Sequence, residues 1–193
     1  MEYNPERREL KLSKKNNELD TFVLDFVGLL KDYVVVSGYV SILTGRSRAT
    51  EDIDLLIPSL NFEEFEEYWK KFEKAGFECL NTSKEKEAFD MLKDHAIRFA
   101  RKGKPIPNME FKVITNDVQK YSLNHKIKVI LGHKEMFISP FEMQIAYKLF
   151  LGSEKDLEDA KHIYVLFKEN LNNDELLNLL NKLNVTDKFQ LIQ

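Results

Sequence analysis

The first clear pattern along the chain is a segment, residues 16–31, in which apolar residues recur every three or four positions. This spacing predicts an amphipathic helix, and either Asn16 or Asn17 can cap its start. The β-branched run at Tyr33–Val36 follows and predicts a buried strand. A short helix is then expected over residues 38–44, before the chain turns polar.

Strands and helices continue to alternate as far as residue 138. Predicted strands lie at 53–57, 77–80, 95–100, 109–114, 126–131 and 134–138, and predicted helices lie at 61–75 and 83–93. From Ser139 onward the pattern is helical, with later helices expected at about 154–169 and 173–183. Ser139, Pro140 and Glu142 have the order of a capped helix start that closes with a capping box.

This order of elements predicts two units. Residues 1–138 read as a unit of strands and helices, and residues 139–193 read as a C-terminal helical unit. Because the helices are concentrated after the strands, the arrangement favours an α+β fold over a doubly wound parallel sheet.

Composition is typical of a globular protein, because 43% of the 193 residues are hydrophobic and 32% are charged. No apolar run approaches the roughly 20 residues that a membrane span needs, and the charged start lacks a signal-peptide core. One cysteine, Cys79, cannot form an internal disulfide. We therefore expect a cytoplasmic protein that has no contact with a membrane.

The net charge of −3 argues against binding nucleic acid by charge alone. Basic residues nevertheless outnumber acidic ones over residues 98–134. That segment could face a phosphate-bearing partner or could simply be a solvated lysine-rich surface.

Two acids, Asp52 and Asp54, stand at the start of the predicted strand that continues through Ile57. Side chains alternate along a strand, so both carboxylates are expected on one face, opposite Ile53. Two like charges beside a core repel each other and lose hydration. Mg²⁺, which prefers one or two carboxylates together with substrate phosphates, would compensate them, and Mn²⁺ could take its place.

Upstream of these acids, Ser37 and Gly38 lie between a strand and a short helix. A helix start offers backbone N–H groups to an anion, and glycine allows a phosphate to approach closely. The sequence thus predicts a phosphate cradle and a metal site on consecutive strands. Without these upstream residues, the simplest interpretation of an Asp-x-Asp pair would be the polar end of a strand with no metal.

The segment Val36–Leu55 resembles the signature of the DNA polymerase beta-like nucleotidyltransferase superfamily. That signature is a hydrophobic residue, Gly, Gly or Ser, a short connection, and then Asp-hydrophobic-Asp-hydrophobic. Here it reads Val36-Ser37-Gly38, then Asp52-Ile53-Asp54-Leu55, and Ser37 departs from the expected first glycine. The resemblance implies a mixed sheet flanked by helices, a Mg²⁺-dependent transfer and an NTP such as ATP as substrate.

The C-terminal unit looks like that of the abortive-infection, AbiEii-like toxins within this superfamily. That branch carries a lysine on the first C-terminal helix and then a Lys-Asp-x-x-Asp element, which match Lys148 and Lys155–Asp159. The resemblance implies that Lys148 reaches the triphosphate, while Asp156 or Asp159 orients it or contacts the nucleotide. A capped amphipathic helix and a charged helix start are the plainer interpretation. The branch also implies an antitoxin partner.

The superfamily implies a third carboxylate on a neighbouring strand; Glu110 is the first candidate and Asp94 is the alternative. Glu110 alternates with Met109 and Phe111, so it leaves the core face, although pairing with a surface lysine would explain it equally simply. With Asp52 and Asp54 it would form a two-metal site that transfers a nucleoside monophosphate to a hydroxyl. Arg46 and Arg48 flank this site and could touch phosphate or only solvent.

Two functions remain open from these residues. The first is an active transferase whose acceptor is an RNA such as tRNA, a protein or a small molecule. The second is an inactive relative that binds a nucleotide or a partner protein, since Ser37 and Glu110 both depart from the superfamily's usual residues.

Overall fold

A computed structural model describes residues 1–193, and its centre is one nine-stranded sheet. The strands are β1 (Glu2–Asn4), β2 (Glu9–Leu12), β3 (Val34–Val36), β4 (Asp52–Ile57), β5 (Phe77–Cys79), β6 (Ile97–Arg101), β7 (Lys104–Val113), β8 (Ile127–Leu131) and β9 (Lys134–Ile138). Their order across the sheet is β1-β2-β8-β9-β3-β4-β7-β6-β5. The sheet is mixed, because β2/β8, β3/β9 and β4/β7 are parallel and the other neighbours are antiparallel.

Nine helices connect and cover these strands. They are α1 (Glu18–Val27), α2 (Gly38–Leu43), α3 (Phe62–Lys74), α4 (Glu85–Leu92), α5 (Asp117–Asn124), α6 (Phe141–Leu151), α7 (Glu154–Phe167), α8 (Asn173–Lys182) and α9 (Thr186–Phe189). Capping boxes at Asn17 and Asn61 begin α1 and α3. None of the nine has the length and apolar character that crossing a membrane would require.

The predicted α+β fold, with a helical C-terminal segment, is confirmed. Three local predictions were incomplete or wrong. The first twelve residues form β1 and β2, and residues 117–124 form α5, although neither was predicted. Ser139 does not cap α6, because Pro140 holds the cap position and the Ser139 hydroxyl donates to the Ser122 hydroxyl instead.

One face of the sheet carries an aromatic core beneath α1 and α3. Phe26 of α1 stacks on Phe72 of α3 with ring centroids 4.5 Å apart, and both contact Phe111 of β7. In β4, Ile53 and Leu55 turn toward this face and are fully buried. The alternate residues of β4 and β7 therefore point to the other face, where the charged residues of the chain's central strands gather.

The N-terminal hairpin, formed by β1 and β2, is the edge of the sheet opposite to β5. β2 runs parallel to β8 and pairs with it over its whole length. Tyr3 of β1 packs edge-to-face on Phe141 of α6 and Phe167 of α7. The hairpin thereby joins the sheet to the C-terminal helices.

Candidate active site

The two acids of β4 lie on one face of the sheet, as alternation predicts. Asp52 is exposed and Asp54 is half-buried, whereas Ile53 between them is fully buried on the other face. Both carboxylates stand where β4 begins and are open to solvent. The pair can therefore reach a ligand without any change in the backbone.

Glu110 lies directly beside Asp54. Strands β4 and β7 run parallel, and their register pairs Asp54 with Glu110 on the same face. The half-buried Glu110 side chain is 20% exposed, and Arg98 of β6 lies 3.6 Å from its carboxylate. Three acids from two adjacent strands thus share one face.

Lys112 lies between two of these acids, so the lysine pairing that the sequence left open for Glu110 is present, although the sequence did not identify Lys112 as the partner. Its Nζ is 2.9 Å from the Asp54 carboxylate and 3.0 Å from that of Glu110. Burial would lower the pKa of Lys112, but the charge of Asp54 and then the bonds to Glu110 raise it above its ordinary value. The ammonium therefore stays charged and offsets two carboxylates. Lys112 stands two residues after Glu110 on the same strand, and this spacing was the sequence signal that both side chains share one face.

Asp52 is held by a different partner. The register pairs it with Asn108, whose Nδ2 donates to Asp52 Oδ1 at 2.7 Å. Asn108 Oδ1 is buried and has no hydrogen-bond partner. The Asn108 amide nitrogen fixes one oxygen of the Asp52 carboxylate.

The fit of these residues to a divalent cation differs between two positions. Nowhere in the chain are three or more Asp, Glu, His or Cys side chains grouped closely enough to hold a metal ion. Asp52 and Asp54 still supply the one or two carboxylates that Mg²⁺ uses in proteins. Between Asp54 and Glu110, the Lys112 ammonium occupies the space that a second ion would need.

The turn from β3 into α2 lies next to these acids, because Val36 pairs with Asp54 across the two strands. Ser37 in this turn has a φ of 63° and a ψ of −136°, a conformation that favours glycine. A Cβ on Gly38 would lie 2.9 Å from a guanidinium nitrogen of Arg48, so any side chain there would displace the Arg48 side chain. A glycine at position 37 would adopt this conformation without strain, whereas the serine found there is strained.

Replacing Ser37 with glycine should therefore stabilise the protein. A residue held in such a region costs about 1–3 kcal/mol, from which the greater flexibility of unfolded glycine subtracts up to about 1 kcal/mol. We expect Ser37→Gly to raise the free energy of unfolding by about 1 kcal/mol, measured by urea denaturation. Ser47→Gly, at an exposed loop position with no recorded strain, is the control. If Ser37→Gly were no more stable than wild type, the backbone at Ser37 would not be strained as we infer.

Lys148, Asp156 and Asp159 form a buried charged cluster between α6 and α7. Lys148 Nζ lies 2.6 Å from Asp156 and 3.0 Å from Asp159, and the Lys148 side chain is 3% exposed. Burial opposes ionisation of Asp156, but hydrogen bonds from Lys148 and Ser153 outweigh it and hold the pKa of Asp156 below its ordinary value. In this arrangement both acids orient the lysine.

Two arginines from the loop before β4 complete this cluster. Arg46 pairs with Asp159 and Glu158, and Arg48 Nη1 lies 2.5 Å from Asp159. Their side chains are only 15% and 10% exposed, so neither is the plain surface residue that the sequence left open. Asp159 is fully buried and accepts bonds from Lys148 as well as both arginines. The loop that leads into β4 is therefore tied to α7.

Comparison with known proteins supports the fold. No protein-family model and no curated protein matches the chain. Among solved structures, the antibiotic-resistance factor ANT(2'')-Ia is similar with a TM-score of 0.55, at 10% identity over 89% of this chain and 93% of that one. An antigenic nucleotidyltransferase-like protein from Paracoccidioides brasiliensis matches with a TM-score of 0.48, at 18% identity over 79% and 78% of the two chains. The chain thus shares the overall fold of ANT(2'')-Ia.

Proposed function

We propose that this protein transfers a nucleoside monophosphate from a Mg²⁺-bound NTP to a hydroxyl acceptor. The observation that carries the proposal is the meeting of Asp52, Asp54 and Glu110 on one sheet face beside the Ser37–Gly38 turn. The likeness in fold to the antibiotic-resistance factor ANT(2'')-Ia agrees with this arrangement.

Each residue has a distinct part in the proposed reaction. Asp52 and Asp54 would hold the ion that binds the triphosphate, and Glu110 would share a second ion with Asp54 only once the Lys112 ammonium has moved from between them. When bound, Mg²⁺ lowers the pKa of the attacking hydroxyl and neutralises charge that develops at the reacting phosphate. The Ser37–Gly38 backbone would face the distal phosphates, beside the Arg48 guanidinium that lies over Gly38.

The buried cluster would act on the same triphosphate. Lys148 is the proposed phosphate contact, and Asp156 and Asp159 would fix the direction of its ammonium group. Because Arg48 touches both Asp159 and the space above Gly38, the cluster also supports the turn that would receive the phosphates.

The acceptor and the partner rest on the sequence resemblance to the AbiEii-like toxin branch. A tRNA, another RNA, a protein side chain or a small molecule could each supply the hydroxyl. An antitoxin protein is the proposed partner if the chain belongs to that branch.

The test is transfer of label from each of the four α-labelled NTPs with Mg²⁺, using total tRNA, a protein extract and small polyhydroxy compounds as acceptors. We expect labelled product and pyrophosphate with at least one NTP. Absence of product, of pyrophosphate and of NTP binding for all four would overturn the proposal.

A nucleotide-binding protein without transferase activity is the second candidate, and the Lys112 ion pairs favour it. An ammonium fixed between Asp54 and Glu110 would exclude the second ion that the transfer uses. Stabilisation by Mg-NTP in a thermal shift assay, without any pyrophosphate, would support this candidate.

Replacing Lys112 with methionine should strengthen metal binding. A hydrogen bond to a charged group contributes about 1.5–3 kcal/mol, so removing this competitor should tighten Mn²⁺ binding roughly tenfold or more. Calorimetric titration with Mn²⁺ would measure both affinity and stoichiometry. The matched control is Lys128→Met, which removes a strand lysine paired with Glu135 away from the site. Equal Mn²⁺ affinities for wild type and Lys112→Met would show that Lys112 does not compete.

A further inference from the structure

A cavity of about 280 Å³ opens below the acids on the same face of the sheet. Its floor is the face of β3, β4 and β7, and its walls are α5 and α6. Asp54 and Lys112 stand at one end, so the cavity is continuous with the candidate active site. A molecule bound at Asp54 could therefore extend into it.

The lining of this cavity suits a flat, largely apolar group. Val36 and Leu56 line the floor and Met143 lines one wall, while Tyr147 of α6 is 37% exposed and stands at the cavity surface. The hydroxyls of Ser122 and Ser139 are not free for a ligand, because they bond each other at 3.1 Å. Asn116 and Gln119, at the start of α5, also line the cavity, but the amide oxygen of each already accepts a hydrogen bond from a neighbouring backbone N–H.

Gln144 is the exception, and it needs an explanation. Its side chain lines the cavity, is 3% exposed and leaves Oε1 without any hydrogen-bond partner. Buried polar atoms in folded proteins are nearly always paired, so an unpaired amide oxygen in a cavity wall indicates a donor supplied from outside.

We propose that this cavity binds the nucleobase of the NTP and that Gln144 Oε1 accepts a hydrogen bond from an N–H group on the base. A base has apolar faces and a donor edge, which match the lining. Phosphates fit only at the end of the cavity where Ser37 and Asp54 lie, since its one cation, Lys112, is already paired with Asp54. Asp54 lines the cavity and belongs to the proposed metal site, so one nucleotide would occupy both.

This inference rests on the proposed function, and its test separates the two. The affinities of all four Mg-NTPs and of Mg-tripolyphosphate, which lacks a base, are measured for wild type and for Gln144→Leu. We expect Gln144→Leu to weaken the preferred NTP about tenfold, to reduce the difference among bases, and to leave tripolyphosphate binding unchanged. Its thermal stability should equal or exceed that of wild type, because an unpaired buried oxygen has been removed.

Two further variants complete the design. Gln190→Leu, at an exposed position outside the cavity, should bind every NTP as wild type does. Val118→Trp, which fills the cavity from α5, should weaken NTP binding without affecting tripolyphosphate, and it serves if Gln144→Leu does not fold.

The outcomes are distinguishable. If no NTP and no tripolyphosphate binds, the proposed function fails first. If NTPs bind but neither cavity variant changes their affinities, the nucleobase assignment is overturned while the transferase proposal stands. If the variants change only the KM for the acceptor, the cavity belongs to the acceptor and the assignment is again overturned.

Discussion

Replacing Asp54 with asparagine is expected to lower the rate of nucleotidyl transfer by about a hundredfold to a thousandfold, the usual cost of one group that stabilises transition-state charge. Asp54 lies at the centre of the site, beside Glu110 and in contact with Lys112. Losing its charge removes a proposed metal ligand and leaves the ammonium paired with Glu110 alone. Pyrophosphate release at saturating Mg-NTP is the measurement.

Folding must be unaffected for this result to count. Asp54 is half-buried and asparagine has the same shape, so the thermal midpoint of Asp54→Asn without ligand should remain close to that of wild type. Its shift on adding Mg-NTP should shrink. Asp32→Asn, which alters an exposed ion pair with Lys126 before β3, is the matched control and should retain full activity. An Asp54→Asn variant that remains fully active would refute the assignment of the metal site.

The largest loss of stability is expected from Asp159→Asn. Asp159 is fully buried and offsets three cations, Lys148, Arg46 and Arg48. Removing one partner of a buried ion pair typically costs about 3–5 kcal/mol, because the remaining charges lose their compensation. We expect a loss of that size in the free energy of unfolding, measured by urea denaturation.

Glu158→Gln provides a sensitive control for this effect. Glu158 directly precedes Asp159, pairs with the same Arg46 and is 60% exposed. Removing its charge should therefore lower the free energy of unfolding by only about 0–1 kcal/mol. The comparison separates burial of the ion pair from its mere presence. Equal effects of the two substitutions would show that the cluster does not act as a buried unit.

Alternation along strands was sufficient to predict the central arrangement of acids. Asp52, Asp54 and Glu110 each follow a two-residue period, which placed them on the polar face before the structure was known. Sequence could not supply the register of β4 against β7, and that register sets Glu110 beside Asp54 rather than one pair away. The position of Lys112 between them depends on the same register.

Contacts between residues far apart in the chain could not be predicted from the sequence for a different reason. Arg46 and Arg48 lie 113 and 111 residues before Asp159 in the chain, so nothing local distinguishes them from surface arginines. The role of Gln144 depends on a cavity formed by separate elements, which no local pattern reveals.

Some missed elements did leave signals in the sequence. Asn116 caps α5 through a bond from the Gln119 backbone, and an asparagine before a helix is a standard start signal. The alternation of Leu10 and Leu12 with charged residues marks β2, but two apolar positions in a charged segment are a weak pattern. Short, polar helices and strands are stabilised mainly by contacts with neighbouring elements. Their own sequences therefore predict their secondary structure poorly.

The N-terminal hairpin has a consequence for anyone who shortens or tags this chain. β2 occupies the hydrogen-bonding groups along β8, and Tyr3 rests on Phe141 and Phe167. Deleting the first twelve residues would uncover a strand edge and two aromatic rings at once, and exposed edges of this kind invite sheet-to-sheet aggregation. The opening dozen residues therefore act as a protective cover, and trimming should spare them.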